Sequence, residues 1–131
     1  MSPPFKIHKI LVVDDDPVQN KLLESRLAQN GYSVQVANDA PDGLQTAMST
    51  HPHCVILDVM MPIINGYNFC RILKNEMNRK DLGIILLTSR DKLEDIQIGM
   101  DMGADAYLIK PVNIDELLRT IKVVENNHRK H

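Results

Sequence analysis

Apolar and polar positions along this chain follow two rhythms that take turns. Lys9 to Val13 (KILVV), Cys54 to Asp58 (CVILD) and Gly83 to Thr88 (GIILLT) are short runs rich in branched residues. They are too short for helices and too continuous for half-wet strands, so they predict strands buried on both faces. Ser33 to Ala37 (SVQVA) alternates and predicts a strand with one wet face. Ala106 to Lys110 predicts a fifth strand, closed by Pro111.

Between the strands the period lengthens to that of a helix. Pro17 opens the first helix behind an acidic cap, with Val18, Leu22, Leu23 and Leu27 inward and Asn30-Gly31 as its stop. Asp39 caps a second, with Pro41 in its first turn and Ala40, Leu44, Ala47 and Met48 inward. Gly66 stands near the start of a third, which buries Phe69, Cys70, Leu73 and Met77. Asp91 opens a fourth, with Leu93, Ile96 and Met100 inward and Gly103 at its end. Asn113 caps the last, buried along Ile114, Leu117, Leu118, Ile121 and Val124. Strict alternation of strand and helix predicts an α/β fold: a doubly wound five-stranded parallel sheet in the order 2-1-3-4-5, helices on both faces, crossovers right-handed. The expected boundaries are an N-terminal extension over 1–8, one domain over 9–125 and a C-terminal tail over 126–131.

Composition narrows the function. With 131 residues, 44% apolar and 24% charged, the chain is one ordinary domain with a proper core. A net charge of −2 and no basic face argue against nucleic acid. The apolar runs are too short for a signal peptide or a membrane span. Cys54 and Cys70 sit in apolar patterns without disulfide or metal spacing, and read as reduced core residues of a cytoplasmic protein. His51 and His53 flank Pro52 and read as surface loop residues, and Asn126 to His131 as a solvated terminus.

The predicted strand order has its switch point between the first and third strands, whose carboxyl ends carry Asp14, Asp15 and Asp58. The next strands end in Thr88 and Lys110. Converging carboxylates repel one another, and the simplest compensation is a divalent cation. All-oxygen donors in a small site favour Mg²⁺. Asp58 then reads as the nucleophile and a ligand, Asp15 as a direct ligand, Asp14 as acting partly through metal-bound water, and the Met60 carbonyl as the third protein ligand. Lys110 and Thr88 supply a point charge and a hydroxyl for phosphoryl oxygens. No glycine-rich phosphate loop follows the first strand, which argues against a nucleotide or flavin module. A phosphohydrolase with an aspartyl nucleophile needs a proton donor two residues on, and Met60 cannot be one. The expectation is one stoichiometric phosphoryl transfer rather than turnover by an enzyme.

Four motifs stand in order at the strand ends: LVVDDD, LDVMMP followed by NG, LLTSR and YLIKP. Together they resemble the response-regulator receiver domain of two-component signalling, of the chemotaxis-regulator type, whose fold is flavodoxin-like. The resemblance implies that Asp58 is phosphorylated by a sensor histidine kinase or a phosphotransfer protein. It implies that Asp14 and Asp15 are the acidic pair, Thr88 the switch hydroxyl with Tyr107 following it, and Lys110 the phosphate-pairing lysine, joined to Pro111 by a cis peptide. Met60 and Arg90 occupy variable family positions near the approach of the hydrolytic water. Met60 cannot orient water, which implies slow self-dephosphorylation. Arg90 is expected to pair with acidic groups or the phosphoryl group. Ile98 and Met102 on the fourth helix and Val123 on the last are expected to face outward, as a patch for a protein target, an output domain or a homodimer along the fourth helix, fifth strand and fifth helix. A flavodoxin-like interaction module that is never phosphorylated is the alternative. A stand-alone regulator and a piece of a larger one both stay open.

Overall fold

The computed structural model describes residues 6–60, 65–79, 81–89 and 96–129. The elements alternate as β1 (Lys9–Val13), α1 (Pro17–Gln29), β2 (Ser33–Ala37), α2 (Ala40–Thr50), β3 (Cys54–Asp58), α3 (Gly66–Arg71), β4 (Gly83–Thr88), α4 (Ile96–Asp101), β5 (Ala106–Ile109) and α5 (Ile114–Arg129). A wider π-helical turn over Ile72–Glu76 continues α3. The sheet runs β2-β1-β3-β4-β5, every pair parallel.

Burial follows position in the sheet. β3 and β4 are buried at every residue and β1 at all but its first, whereas the edge strands β2 and β5 are only partly covered. Side chains alternate between faces and sort the apolar residues into two cores. Leu11, Val13, Val55, Leu57, Ile84 and Leu86 pack with α2 and α3, around Phe69 and Leu73. Ile10, Val12, Cys54, Ile56, Ile85 and Leu87 pack with Leu23 and Leu27 of α1 and Leu117, Ile121 and Val124 of α5. Cys54 and Cys70 are buried free thiols, and burial pushes Cys70 up to about 12 and raises Cys54 too, so both stay protonated.

The expected caps are in place. Asp16 accepts from the Val18 N–H at 3.0 Å, Asp39 from Asp42 at 2.8 Å and Asn113 from Glu116 at 3.0 Å. Asn65 does the same for α3, accepting from the Asn68 N–H at 3.0 Å.

Several inward faces differ from the expected ones. In α1 the buried stripe is Asn20, Leu23 and Leu27, while Val18 is 76% exposed and Leu22 47%. In α2 it is Ala40, Gly43 and Ala47, with Leu44 partly buried and Met48 turned outward. In both helices the i, i+3, i+7 spacing faces the sheet, and apolar residues off that line have nothing to bury against. Met100 is exposed and Gly99 buried on α4, and Met102 packs against the core. α4 ends at Asp101 and Gly103 turns the chain with φ +112°, so a helical period no longer applies at Met102. Ile98 and Val123 face outward as expected. Arg90, Asp91, Leu93, Met61 and Pro62 lie outside the described residues, as does the side chain of Ile96.

The expected termini are also partly structured. Ile7 is buried, and its N–H donates to the buried Glu125 carboxylate at 2.6 Å. α5 continues to Arg129, and His128 lies 3.1 Å from Asp105, which also accepts from the Ile84 N–H and meets Lys74. His53 is more than a loop residue: its Nδ1 accepts from the backbone N–H groups of His8 and Lys9 at 3.1 and 3.0 Å, tying the start of β1 to the start of β3.

Candidate functional site

The strand register builds the site. Val13 pairs with Leu57, which sets Asp14 and Asp58 side by side at the ends of β1 and β3. Asp58 pairs with Leu87 and Thr88 with Ile109, so Thr88 and then Lys110 arrive one step further along. Chain order thus delivers Asp14, Asp15, Asp58, Thr88 and Lys110 to one end of the sheet. Asp14 is wholly buried, Asp58 is 6% exposed and Asp15 is exposed, and a carboxylate oxygen of each lies within 4.8 Å of the others.

Lys110 lies between two of the acids. Its Nζ is 3.2 Å from Asp14 Oδ2 and 3.4 Å from Asp58 Oδ1. Asp14 Oδ1 also accepts from the Asp16 N–H at 3.0 Å, and Asp58 Oδ1 from the Met60 N–H at 3.2 Å. Asp58 Oδ2 accepts no hydrogen bond from the described residues. Burial raises the Asp58 pKa; Lys110 works against that rise, Asp14 adds to it, and the Met60 N–H again opposes it. Burial alone pulls the Lys110 ammonium down, but Asp58 and Asp14 outweigh it and the lysine is raised overall. Among the described residues, the like-charge repulsion of Asp14 and Asp58 is set against Lys110.

Thr88 is 2% exposed, and among the described residues its hydroxyl reaches the Ser89 carbonyl alone, at 3.4 Å. A contact that long holds the hydroxyl weakly and leaves it able to turn. The Lys110–Pro111 peptide is cis. Met60 brings its backbone N–H to Asp58 and leaves its side chain 55% exposed. Tyr107, on the edge strand β5, is 42% exposed. Arg90 lies outside the described residues.

The donor set suits a hard divalent cation. Three carboxylate oxygens converge with no histidine or cysteine in the group among the described residues, the preference of Mg²⁺ rather than of zinc or copper. One relevant residue escaped the sequence reading. Asn20, buried on α1, donates from Nδ2 to the Asp14 carbonyl at 2.8 Å. The available signal was a polar residue three before Leu23 and seven before Leu27, on the buried line of an otherwise leucine-faced helix.

Comparison with known proteins points one way. Residues 10–122 match the family model described as the response regulator receiver domain. The chain is similar to the response regulator MprA of Mycobacterium leprae, 41% identical over 116 residues, covering 88% of this chain and 50% of that protein. It is 42% identical to the MprA of Mycolicibacterium vanbaalenii, with 88% and 49% covered. The chain therefore spans about half the length of the curated relatives it matches. Among solved structures it is similar to a response regulator receiver domain protein from Clostridium thermocellum, with TM-score 0.86 and 28% identity over 92% of this chain and 96% of that one. It is also similar to the chemotaxis response regulator CheY4 of Vibrio cholerae, with TM-score 0.83 and 31% identity over 91% and 99%.

Proposed function

The chain belongs to the response regulator receiver domain family, and from that premise we propose that Asp58 is its phosphoacceptor, with Lys110 and Thr88 serving the transferred group and the acid cluster holding Mg²⁺. Phosphoacceptance is the family's function, and response regulators receive the phosphoryl group from histidine kinases. The observation that carries the assignment is the asymmetry of the Asp58 carboxylate. Oδ1 is held by the Met60 N–H and Lys110, and Oδ2 accepts no hydrogen bond from the described residues.

In this reading Oδ2 attacks the phosphorus of a phosphoimidazole donor. The new P–O bond forms as the P–N bond breaks, and the leaving imidazole takes a proton from solvent. Bound Mg²⁺ supplies charge neutralisation to the carboxylates and the phosphoryl oxygens. Asp15 and Asp58 are the first candidates to hold it, with Asp14 beside them and the Met60 carbonyl as a further ligand. Lys110 shifts from its two carboxylates onto a phosphoryl oxygen, and the loosely held Thr88 hydroxyl turns to donate to another. Met60 offers no proton acceptor for a hydrolytic water, so the acyl phosphate is long-lived. The protein acts once per phosphoryl group rather than turning over a substrate.

The readout follows from the same elements. Thr88 ends β4 next to β5, where Tyr107 is exposed, and Ile98 of α4 and Val123 of α5 are exposed on flanking elements. A doubly charged group at Asp58 biases the packing of this face toward a protein target, an output domain or a second copy. No helix among the described residues is long and apolar enough to cross a membrane, and two buried free thiols suit a reducing cytoplasm.

The test is intact mass after incubation with acetyl phosphate. A single phosphoryl adduct is expected that requires Mg²⁺ and is absent in Asp58→Asn. An adduct surviving in that variant would move the chemistry to another residue, and an unmodified wild type would leave a constitutive binding module.

A further inference from the structure

Asn20 is 1% exposed in the first turns of α1. Its Nδ2 donates to the Asp14 carbonyl at 2.8 Å, to Asn38 Oδ1 at 2.8 Å and to the Ala37 carbonyl at 3.2 Å. The Asp14 N–H also donates to Ala37, at 3.2 Å. The residue at the end of β1 is thus pinned at both its N–H and its carbonyl. Asn20 Oδ1 is buried with no hydrogen-bond partner among the described residues. Reversing the amide would set that oxygen against two carbonyl oxygens, so the observed orientation is the one its neighbours require. Packing alone does not call for an amide here. A leucine of similar size would continue the Leu23 and Leu27 stripe without an orphaned oxygen.

The consequence falls on Asp15. Its side chain is exposed, and its carboxylate accepts no hydrogen bond from the described residues. Its position is inherited from the backbone, and the preceding peptide carries the carbonyl that Asn20 holds. We propose that Asn20 is a positioning residue for the metal-binding acids. Its amide fixes the Asp14–Asp15 peptide and so sets where the Asp15 carboxylate stands relative to Asp58. The inference rests on the reading of the acid cluster as a Mg²⁺ site.

The test is calorimetric titration of Mg²⁺ into the protein without phosphodonor, beside the Mg²⁺ dependence of phosphoryl uptake from acetyl phosphate. Asn20→Leu removes the donors, Asn20→Ser keeps one, and Leu27→Ala destabilises the same helix without touching Asp14. Asn20→Leu is expected to weaken Mg²⁺ about 10-fold, the scale found when a group orienting a metal ligand is lost. Its uptake rate recovers toward wild type at saturating Mg²⁺. Asn20→Ser recovers part of the affinity, and decides the matter if the leucine variant does not fold. Leu27→Ala keeps wild-type affinity despite its lower melting temperature. Wild-type affinity in both Asn20 variants, or an equal loss in Leu27→Ala, would overturn the role while leaving the site intact. A wild type that binds no Mg²⁺ would remove the site reading and the inference with it.

Discussion

At the scale of the residue, the site is held together by one lysine facing two buried carboxylates. The sign of each contribution follows from the pKa shifts. Asp58 is raised above its ordinary 3.8, so the fold prefers its neutral form. Its charge therefore opposes folding once the pH exceeds the folded-state pKa, and that penalty disappears below the unfolded value. Asp58→Asn is expected to melt ~2–4 °C above wild type in metal-free buffer at pH 7, with the gain shrinking as the pH falls toward 4. Lys110 is raised instead, so its stabilising contribution is complete below 10.5 and is lost only as the pH climbs through the folded value. Lys110→Met strands the Asp14 and Asp58 charges, and should cost roughly 1–3 kcal/mol at pH 7, less where acid protonates Asp58. Thermal melts of the three proteins across pH 4.5–8 check both signs. A lower melting temperature for Asp58→Asn at pH 7 would mean that the lysine dominates the site rather than the acids.

At the scale of the element, the end of β3 and the residue just beyond it pack closely against the start of α3. A Cβ on Gly66 would stand 2.8 Å from the Val59 Cα and 2.9 Å from the Asp58 carbonyl oxygen. Both are backbone atoms of the loop that leaves Asp58, and neither can move aside without moving the carboxylate. Gly66→Ala should destabilise the domain by roughly 1–3 kcal/mol, as overpacking does. It should also slow phosphoryl uptake by at least ~10-fold, because a shift well under an ångström spoils the line of attack. Rates with acetyl phosphate at saturating Mg²⁺, on protein shown folded by circular dichroism, separate the two effects. Elements are also where the sequence was most and least legible. The spans of β1 to β4 match the expected ones because continuous apolar runs bounded by turn residues leave little choice; β5 stops at Ile109 rather than Lys110, and the polar residues meet at one end of the sheet because each run leads into one. Helix faces read less well. Val18 and Leu22 look inward by hydropathy, yet the buried member of that turn is Asn20, whose Nδ2 donates to the Asp14 carbonyl just past β1 and to the Ala37 carbonyl at the end of β2. A tertiary hydrogen bond leaves no trace in a hydropathy pattern. The same blindness hid the Glu125 and His53 acceptors, which serve backbone N–H groups far away in sequence.

At the scale of the molecule, one sheet serves two cores. β1, β3 and β4 contribute one set of side chains to the face packed by α2 and α3 and the alternate set to the face packed by α1 and α5. Neither core can melt without removing the sheet from the other, so the domain should unfold as one unit. The same three strands lead to Asp14, Asp58 and Thr88, which ties the site to the cooperative unit rather than to a loose rim. Anything that binds the carboxylates should therefore register in global stability. Mg²⁺ that binds only the folded acid cluster adds RT ln(1 + [L]/Kd), about 2.7 kcal/mol at one hundred times Kd, or several degrees for a domain of this size. The increment should collapse in Asp15→Asn and in Asp58→Asn, because each removes one of the converging oxygens. Ca²⁺ and Na⁺ at matched ionic strength separate site binding from screening, since screening acts on all three proteins alike. If the melting temperature of wild type and variants rose equally with Mg²⁺, the ion would be acting on the general acidity of the surface. Among the described residues, the repulsion between Asp14 and Asp58 would then be offset by Lys110 without help from a bound cation.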